Sequence, residues 1–344
     1  MFPSVPWGQQ MQSGQMQRRK FITFIGGAAA WPLAARAQQT DTMRRMGVLL
    51  GWSEDVPEYR TWLVAFLQGL AELGWVDGRN LRIDIRWTNA NVDRAQTFAK
   101  ELVDLRPEVI LAGTTPVTAA LAKETRTIPV VFAVVSDPVG AGFVGSLARP
   151  GGNVTGFINE EGAMGGKWLE LLREIAPRLT RAAIMFNPET APGGGMYFLG
   201  SFEAAAKAMK VESITARVHS DADIDVAIAA LGGGDAGLVM MSDSFMGVHR
   251  GTVISAALRH KVPTIFDAAG FAREGGLLAY GSSNADSFRR SAGYVDRILR
   301  GARPADLPVQ APALFEMVLN LNTAKALGLE VPLFFQQRAD EVVE

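Results

Sequence analysis

The chain has 344 residues, with 34 Lys and Arg against 35 Asp and Glu, and no cysteine. A net charge of −1 offers no footing for a nucleic-acid partner or an anionic membrane surface. The missing cysteines exclude disulfides, thiolate chemistry, Cys-ligated metals and a lipid-modified N-terminal cysteine.

The first segment in chain order is an address. Residues 17–37 read QRRKFITFIGGAAAWPLAARA. A basic stretch, Arg18 to Lys20, precedes an apolar stretch of about 13 residues and the small-x-small site Ala35-Arg36-Ala37. That apolar stretch contains Pro32 and is too short for a bilayer core of roughly 30 Å. Paired arginines directly before it favour the twin-arginine route of folded export. The expectation is cleavage after Ala37 and a mature protein in the periplasm, with residues 1–15 carrying no signal character and Met16 a plausible start.

The remaining chain, about 307 residues, is long enough for two domains. Residues 46–50 (MGVLL) are strand-like and lead into a loop carrying Trp52, Ser53 and Glu54. Residues 59–73 place Trp62, Ala65, Phe66, Gly69, Leu70 and Leu73 on one helical face, and Gly74 stops the helix. Residues 81–87 (LRIDIRW) alternate like a half-buried strand, and 93–105 read as a helix. A strand at 109–112 ends in Gly113-Thr114-Thr115-Pro116 before a helix at 117–125. A strand at 129–135 ends in Ser136-Asp137-Pro138, and a short strand covers 154–157.

The same alternation then repeats. Helices are expected at 166–175, 202–209, 224–231, 253–260 and 287–299. Strands are expected at 181–186, ending at Asn187, and at 211–216. Further strands are expected at 237–241, followed by Asp243, and at 263–266, followed by Asp267. Tyr280 lies in the stretch after Gly275-Gly276. Alternation of strand and helix means parallel sheets covered by helices, and two blocks of similar size mean two doubly wound lobes. Candidate crossings between them are the Pro/Gly-rich 148–153, Gly275-Gly276 and 301–308.

Function belongs at the carboxyl ends of such strands. Hydroxyls and free N–H groups at a helix start, as at Thr114-Thr115, suit a carboxylate; the same residues also serve as simple helix caps. Ser136 and Asp137 repeat the pattern one strand later, and Ser53 and Glu54 close the first strand. Asn187, Asp243, Asp267 and Tyr280 hold the matching places in the second block. Singly, each reads as a turn or cap residue. Together they put carboxylates and hydroxyls on both walls of one cleft, which a zwitterionic solute requires.

Catalytic constellations are weak. His249 and His260 are eleven residues apart and share no metal-ligand spacing, and His219 precedes a turn. No G-x-S-x-G elbow is present, and Gly193–Gly195 and Gly232–Gly234 lack the Lys-Ser/Thr of a phosphate loop. No G-x-G-x-x-G follows the first strand. No catalytic residue, metal site or cofactor is therefore expected.

Three stretches carry a family resemblance: AFLQGLAELGWVDGRN at 65–80, IPVVFAVVSDPVGAGFVGSLARPGGNVTGF at 128–157 and NLNTAKALGLEVP at 320–332. From about residue 44 to the end the chain resembles the tryptophan/tyrosine-type substrate-binding components of ABC importers, with a periplasmic binding protein type I fold. The resemblance implies a monomer of two lobes joined by a three-strand hinge. It would close on a small organic, amino-acid-like solute and deliver it to an ABC permease driven by a separate ATPase. It places 44–157 plus about 281–303 in one lobe and 158–280 plus about 304–344 in the other. Carried over by position, Ser53, Thr114, Thr115, Ser136 and Asp137 line one wall, and Asn187, Asp243, Asp267 and Tyr280 the other. The glycine-rich loop 187–195 departs from the family pattern. A periplasmic sensor would use the same cleft, and an exported α/β hydrolase would need a nucleophile and base at the strand ends.

Overall fold

The structure is a computed structural model that describes residues 43–344; the export signal and its cleavage site lie outside the described residues.

The strands form where the sequence has short apolar runs. In the first sheet they are β1 (Arg44–Leu50), β2 (Leu81–Trp87), β3 (Val109–Gly113), β4 (Val130–Val135) and β5 (Val154–Ile158). All pairings are parallel and the order is β2-β1-β3-β4-β5. VILAG of β3 and VVFAVV of β4 are buried at every position, as strands covered on both faces must be. β2 sits at the edge, and its alternating LRIDIRW is only half-buried.

The second sheet has β6 (Arg181–Phe186), β7 (Glu212–Arg217), β8 (Ala236–Met240), β9 (Thr264–Phe266), β10 (Leu278–Ser282), β11 (Phe315–Asn320) and β12 (Glu341–Val343). Their order is β12-β11-β10-β9-β8-β6-β7. One pairing departs from the parallel rule: β11 runs antiparallel to β10. The chain leaves the second sheet after β10, forms the helix Asn284–Leu299 against the first sheet, and returns at β11. Ser283 N–H donates to Leu314 C=O at 2.9 Å, so departure and return are side by side and the returning strand must run backwards.

Two hydrophobic clusters cover the faces of each sheet. In the first, Phe66 and Leu70 of the helix Pro57–Glu72 pack with Phe288, Ala292 and Val295 of Asn284–Leu299; Ala99, Leu121 and Phe132 anchor the opposite face. In the second, Trp168, Phe198 and Phe202 fill one face and Ile224, Val253 and Phe266 the other. Trp168 is fully buried, and its indole N–H donates to Tyr280 C=O at 2.7 Å, so the largest core side chain leaves no orphan donor.

The chain passes between the sheets three times, at 159–163, at Ser283 and at 311–314. The last crossing differs from the sequence expectation, which put 304–344 with the second lobe. The stretch 304–310 lies on the first sheet: Ile158 N–H donates to Gln310 C=O, the Thr155 hydroxyl to Leu307 C=O, and Val309 joins a first-sheet cluster. The apolar residues of LPVQ are satisfied there before the chain crosses back.

Candidate functional site

Each sheet reverses its winding once, between β1 and β3 in the first and between β6 and β8 in the second. Such switch points open a crevice at the strand carboxyl ends. Here the two crevices face each other across one tight cleft of about 40 Å3.

The first wall is aromatic. Trp52, directly after β1, stacks on Tyr59 with ring centres 5.1 Å apart at 21° and meets Trp62 edge-on at 5.1 Å. Tyr59 and Trp62 come from the first turns of Pro57–Glu72, which are aimed at the cleft because that helix follows β1. The three rings are at most 6% exposed. Thr114, Thr115 and Pro116 complete this wall at the start of the helix Thr115–Glu124. Thr114 adopts φ 100°, ψ 156°, a backbone conformation that costs a non-glycine residue about 1–3 kcal/mol. Gly51 makes room for it, since a methyl there would overlap the Thr114 side chain.

The second wall is polar and acidic. The Asp243 carboxylate accepts from Asn187 N–H at 2.7 Å, from Phe245 N–H at 2.9 Å and from the Thr190 hydroxyl. Burial nevertheless pushes its pKa up to about 6. Asp267, after β9, is also pushed up to about 6 by burial, against the pull of a hydrogen bond from Ser242. Ser244, Gly247 and Phe271 fill the wall between them.

Asn159, at the first crossing, ties the walls together. It accepts from the Ser136 hydroxyl at 2.8 Å and donates to the Ser242 hydroxyl at 2.9 Å. A second tie is aromatic: the Arg250 guanidinium, held by Glu274 through bonds of 2.6 and 2.8 Å, lies 5.3 Å above the Tyr59 ring. Gly247 permits this approach, because a methyl there would sit 2.7 Å from the Tyr59 hydroxyl. The walls therefore stand in a closed arrangement.

Among the described residues, the Tyr59 hydroxyl, Thr114 Oγ1, Ser244 Oγ and Asn284 Oδ1 are buried, line the cleft and have no hydrogen-bond partner. Such groups cost about 1–3 kcal/mol each when left unpaired, and their convergence marks where a ligand's polar groups belong. Among the described residues, no Lys or Arg lines the cleft.

Of the residues expected from sequence, Thr114, Thr115, Ser136, Asp243 and Asp267 come together here. The other five are engaged elsewhere. Ser53 Oγ accepts from Asp55 N–H at 3.3 Å in a local turn, and Glu54 is exposed. Asp137 accepts from Gly140 N–H at 2.8 Å, and Asn187 Oδ1 from Glu189 N–H at 2.8 Å, both as turn residues. Tyr280 packs its ring on Phe315, 5.9 Å away, on a covered face of the second sheet. Tyr59, Trp62, Ser242, Ser244, Asn159 and Asn284 were not foreseen. The position of Tyr59 and Trp62 in the first turns after a strand-end loop was the available signal, but helical periodicity assigned Trp62 to the core.

Two facing switch-point crevices on lobes joined by three crossings define a periplasmic binding protein of type I architecture. The sequence gives the family: the model for ABC transporter substrate binding proteins matches residues 60–343, and the chain belongs to that family. It is the substrate-binding component of an ABC transporter. A tyrosine-binding protein of Clostridioides difficile is 25% identical over 293 residues, 85% of this chain and 84% of that protein. The crystal structure of an ABC domain in complex with L-Trp from Streptococcus pneumonia superposes with TM-score 0.81 at 25% identity, covering 88% of this chain and 100% of that one. The ligand-free, open structure of a substrate-binding protein with adhesive properties from Clostridium difficile gives TM-score 0.64 at 24% identity, covering 88% and 99%.

Proposed function

We propose that the chain captures an aromatic amino acid in this cleft, outside the cytoplasm, and hands it as a monomer to a permease driven by a separate ATPase. The observation that carries the reading is the pairing of an aromatic stack on one wall with two buried carboxylates on the other. An aromatic side chain lies against Trp52 and Trp62, where ring-to-ring contact adds about 0.5–1.5 kcal/mol beyond area. The α-ammonium is taken by Asp267, with Asp243 behind it. The α-carboxylate is taken by the Thr114 and Thr115 hydroxyls and the N–H groups at the start of Thr115–Glu124. Ser136 acts through Asn159 to hold the walls in register.

Support comes from the curated relative, described as tyrosine-binding, and from the closer overall likeness to the complex with L-Trp than to the ligand-free, open structure. The lobes are residues 44–158 with 284–310, and 164–282 with 315–344. The twin-arginine segment ahead of them supplies export, and no reaction is assigned to the cleft.

Thermal-shift measurements on the mature protein with the twenty L-amino acids test this. A ligand at a hundred times its Kd adds about 2.7 kcal/mol, so Trp, Tyr or Phe should raise the melting temperature visibly. Absence of a shift with every aromatic amino acid would sink the proposal. Because a bridging ligand favours the closed state, small-angle scattering should also show compaction with the active ligand.

A further inference from the structure

A second chamber opens from the cleft on the side of β10. It shares Trp62, Ala268 and Asn284 with the cleft and is a half-open pocket of about 290 Å3. Glu58, from the first turn of Pro57–Glu72, reaches across to the second lobe, where its carboxylate packs against Gly270. Gly270 allows this, since a methyl there would overlap both carboxylate oxygens.

The chamber wall is short of donors. Among the described residues, Glu58 Oε2, Asn284 Oδ1 and Ser282 Oγ are buried and have no partner, and all three residues line the chamber. Asn284 and Ser282 are 8% and 5% exposed. The nearby cations are committed: Arg250 to Glu274 by two bonds, and Arg273 to Glu341 and Glu316. Glu58 is thus the one carboxylate of this wall without an ion partner among the described residues. An occupant must bring N–H donors to two acceptors and a positive charge to one carboxylate. A primary ammonium, with three N–H groups and one charge, meets both needs.

We propose that this chamber is a second subsite, continuous with the cleft, that binds a protonated primary amine extending from the ligand, so that the protein takes aromatic dipeptides carrying lysine as well as single amino acids. The proposal rests on the aromatic reading of the cleft. Burial pushes Glu58 up to about 7, with Arg250 lowering it and Glu274 and Asp267 raising it; Arg273 and Glu316 also face the chamber, and behind Ser282 the buried Glu160, which accepts from Ser282 N–H at 2.6 Å, is pushed up to about 8. An ammonium seated there draws the carboxyl back to its ionised form, so binding near pH 7 releases a proton.

The test is titration calorimetry on the full mature protein. The probes are L-tryptophan, the dipeptides Lys-Trp and Trp-Lys, and the same dipeptides with norleucine for lysine. At least one lysine dipeptide should bind about tenfold or more tighter than its norleucine counterpart. Its apparent enthalpy should differ between phosphate and Tris, reporting the released proton. Glu58→Gln should remove both the lysine preference and the proton release while leaving L-tryptophan affinity in place, and Ser282→Ala should weaken the preference without changing proton release. Equal affinity for lysine and norleucine dipeptides, or a preference that survives Glu58→Gln, overturns the subsite. If no lysine dipeptide binds, the subsite is overturned whether or not L-tryptophan binds. If L-tryptophan, L-tyrosine and L-phenylalanine also fail to bind, the aromatic reading of the cleft falls with it.

Discussion

The two walls of the cleft are built from opposite materials. The first-lobe wall has three clustered aromatic rings, one pair stacked and the third edge-on, with two threonines, and among the described residues no acid lines it. The second-lobe wall has Asp243 and Asp267, two serines and glycine-sized gaps. A ring face recognises shape and is indifferent to pH, whereas a desolvated carboxylate recognises charge and depends on its proton. On the proposed reading neither wall alone holds an amino acid, and closure brings ring contact and charge onto one ligand.

Removing the rings should have the largest effect. Trp52→Ala deletes the centre of the stack and leaves a cavity costing about 3–5 kcal/mol by denaturant unfolding. It should also weaken aromatic amino acids a hundredfold or more, on the order of 3 kcal/mol of contact. Unchanged affinity by calorimetry would show that the first wall is only core.

The acids should separate from each other. Asp267→Asn should weaken an α-ammonium ligand by about 10- to 100-fold, the worth of a charge-assisted hydrogen bond, with thermal stability kept or raised because a buried acid has been removed. Asp243→Asn should instead lower stability by about 1–3 kcal/mol, since three donors lose their charged acceptor. If the two variants behave alike, the second wall has no division between ligand contact and support.

The same acids give the walls different pH responses. A carboxyl near pKa 6 in the folded protein and near 3.8 when unfolded binds more protons in the folded state between those values. Its contribution to stability is therefore fullest below pH 4, declines as pH rises to about 6 and is flat above. Ligand binding runs the opposite way, because the ammonium needs the ionised form. Affinity should fall about tenfold from pH 7 to pH 5 for one group of pKa about 6, and Asp267→Asn should flatten that profile. The smallest effect is on the first wall: Thr114→Gly relieves the strained backbone. It should change the melting temperature by no more than a few degrees, upward if strain outweighs glycine's entropy, while reducing ligand affinity.

The doubly wound lobes were legible because β3, β4 and β8 are buried apolar runs bounded by turn residues, and because Pro57–Glu72 and Asn284–Leu299 keep a helical period. The antiparallel return of β11 was not legible, since direction follows from where the chain re-enters and local sequence carries no record of it. At the cleft, strand-end position places Thr114, Thr115, Ser136, Asp243 and Asp267 on its lining. It could not distinguish a side chain turned into the cleft from one folded back on its own turn, as Asp137 and Asn187 are. Tyr280 sits apart from the cleft for another reason: it lies within β10, where alternation turns its half-buried ring onto Phe315. Trp62 and Tyr59 were hidden because an apolar helix face reads the same whether it meets a core or a ligand.

The order in which the chain is made gives the discontinuous lobes a further meaning. The first sheet is complete in sequence by residue 158, yet the helix that seals one of its faces ends at Leu299. A ribosome that has reached residue 283 has therefore finished neither lobe. The nascent chain holds an unsealed face until residues 284–299 emerge, and the two lobes should then form in one late cooperative event. A fragment ending before residue 284 should aggregate or bind a chaperone, and adding the 284–344 segment in trans should rescue it.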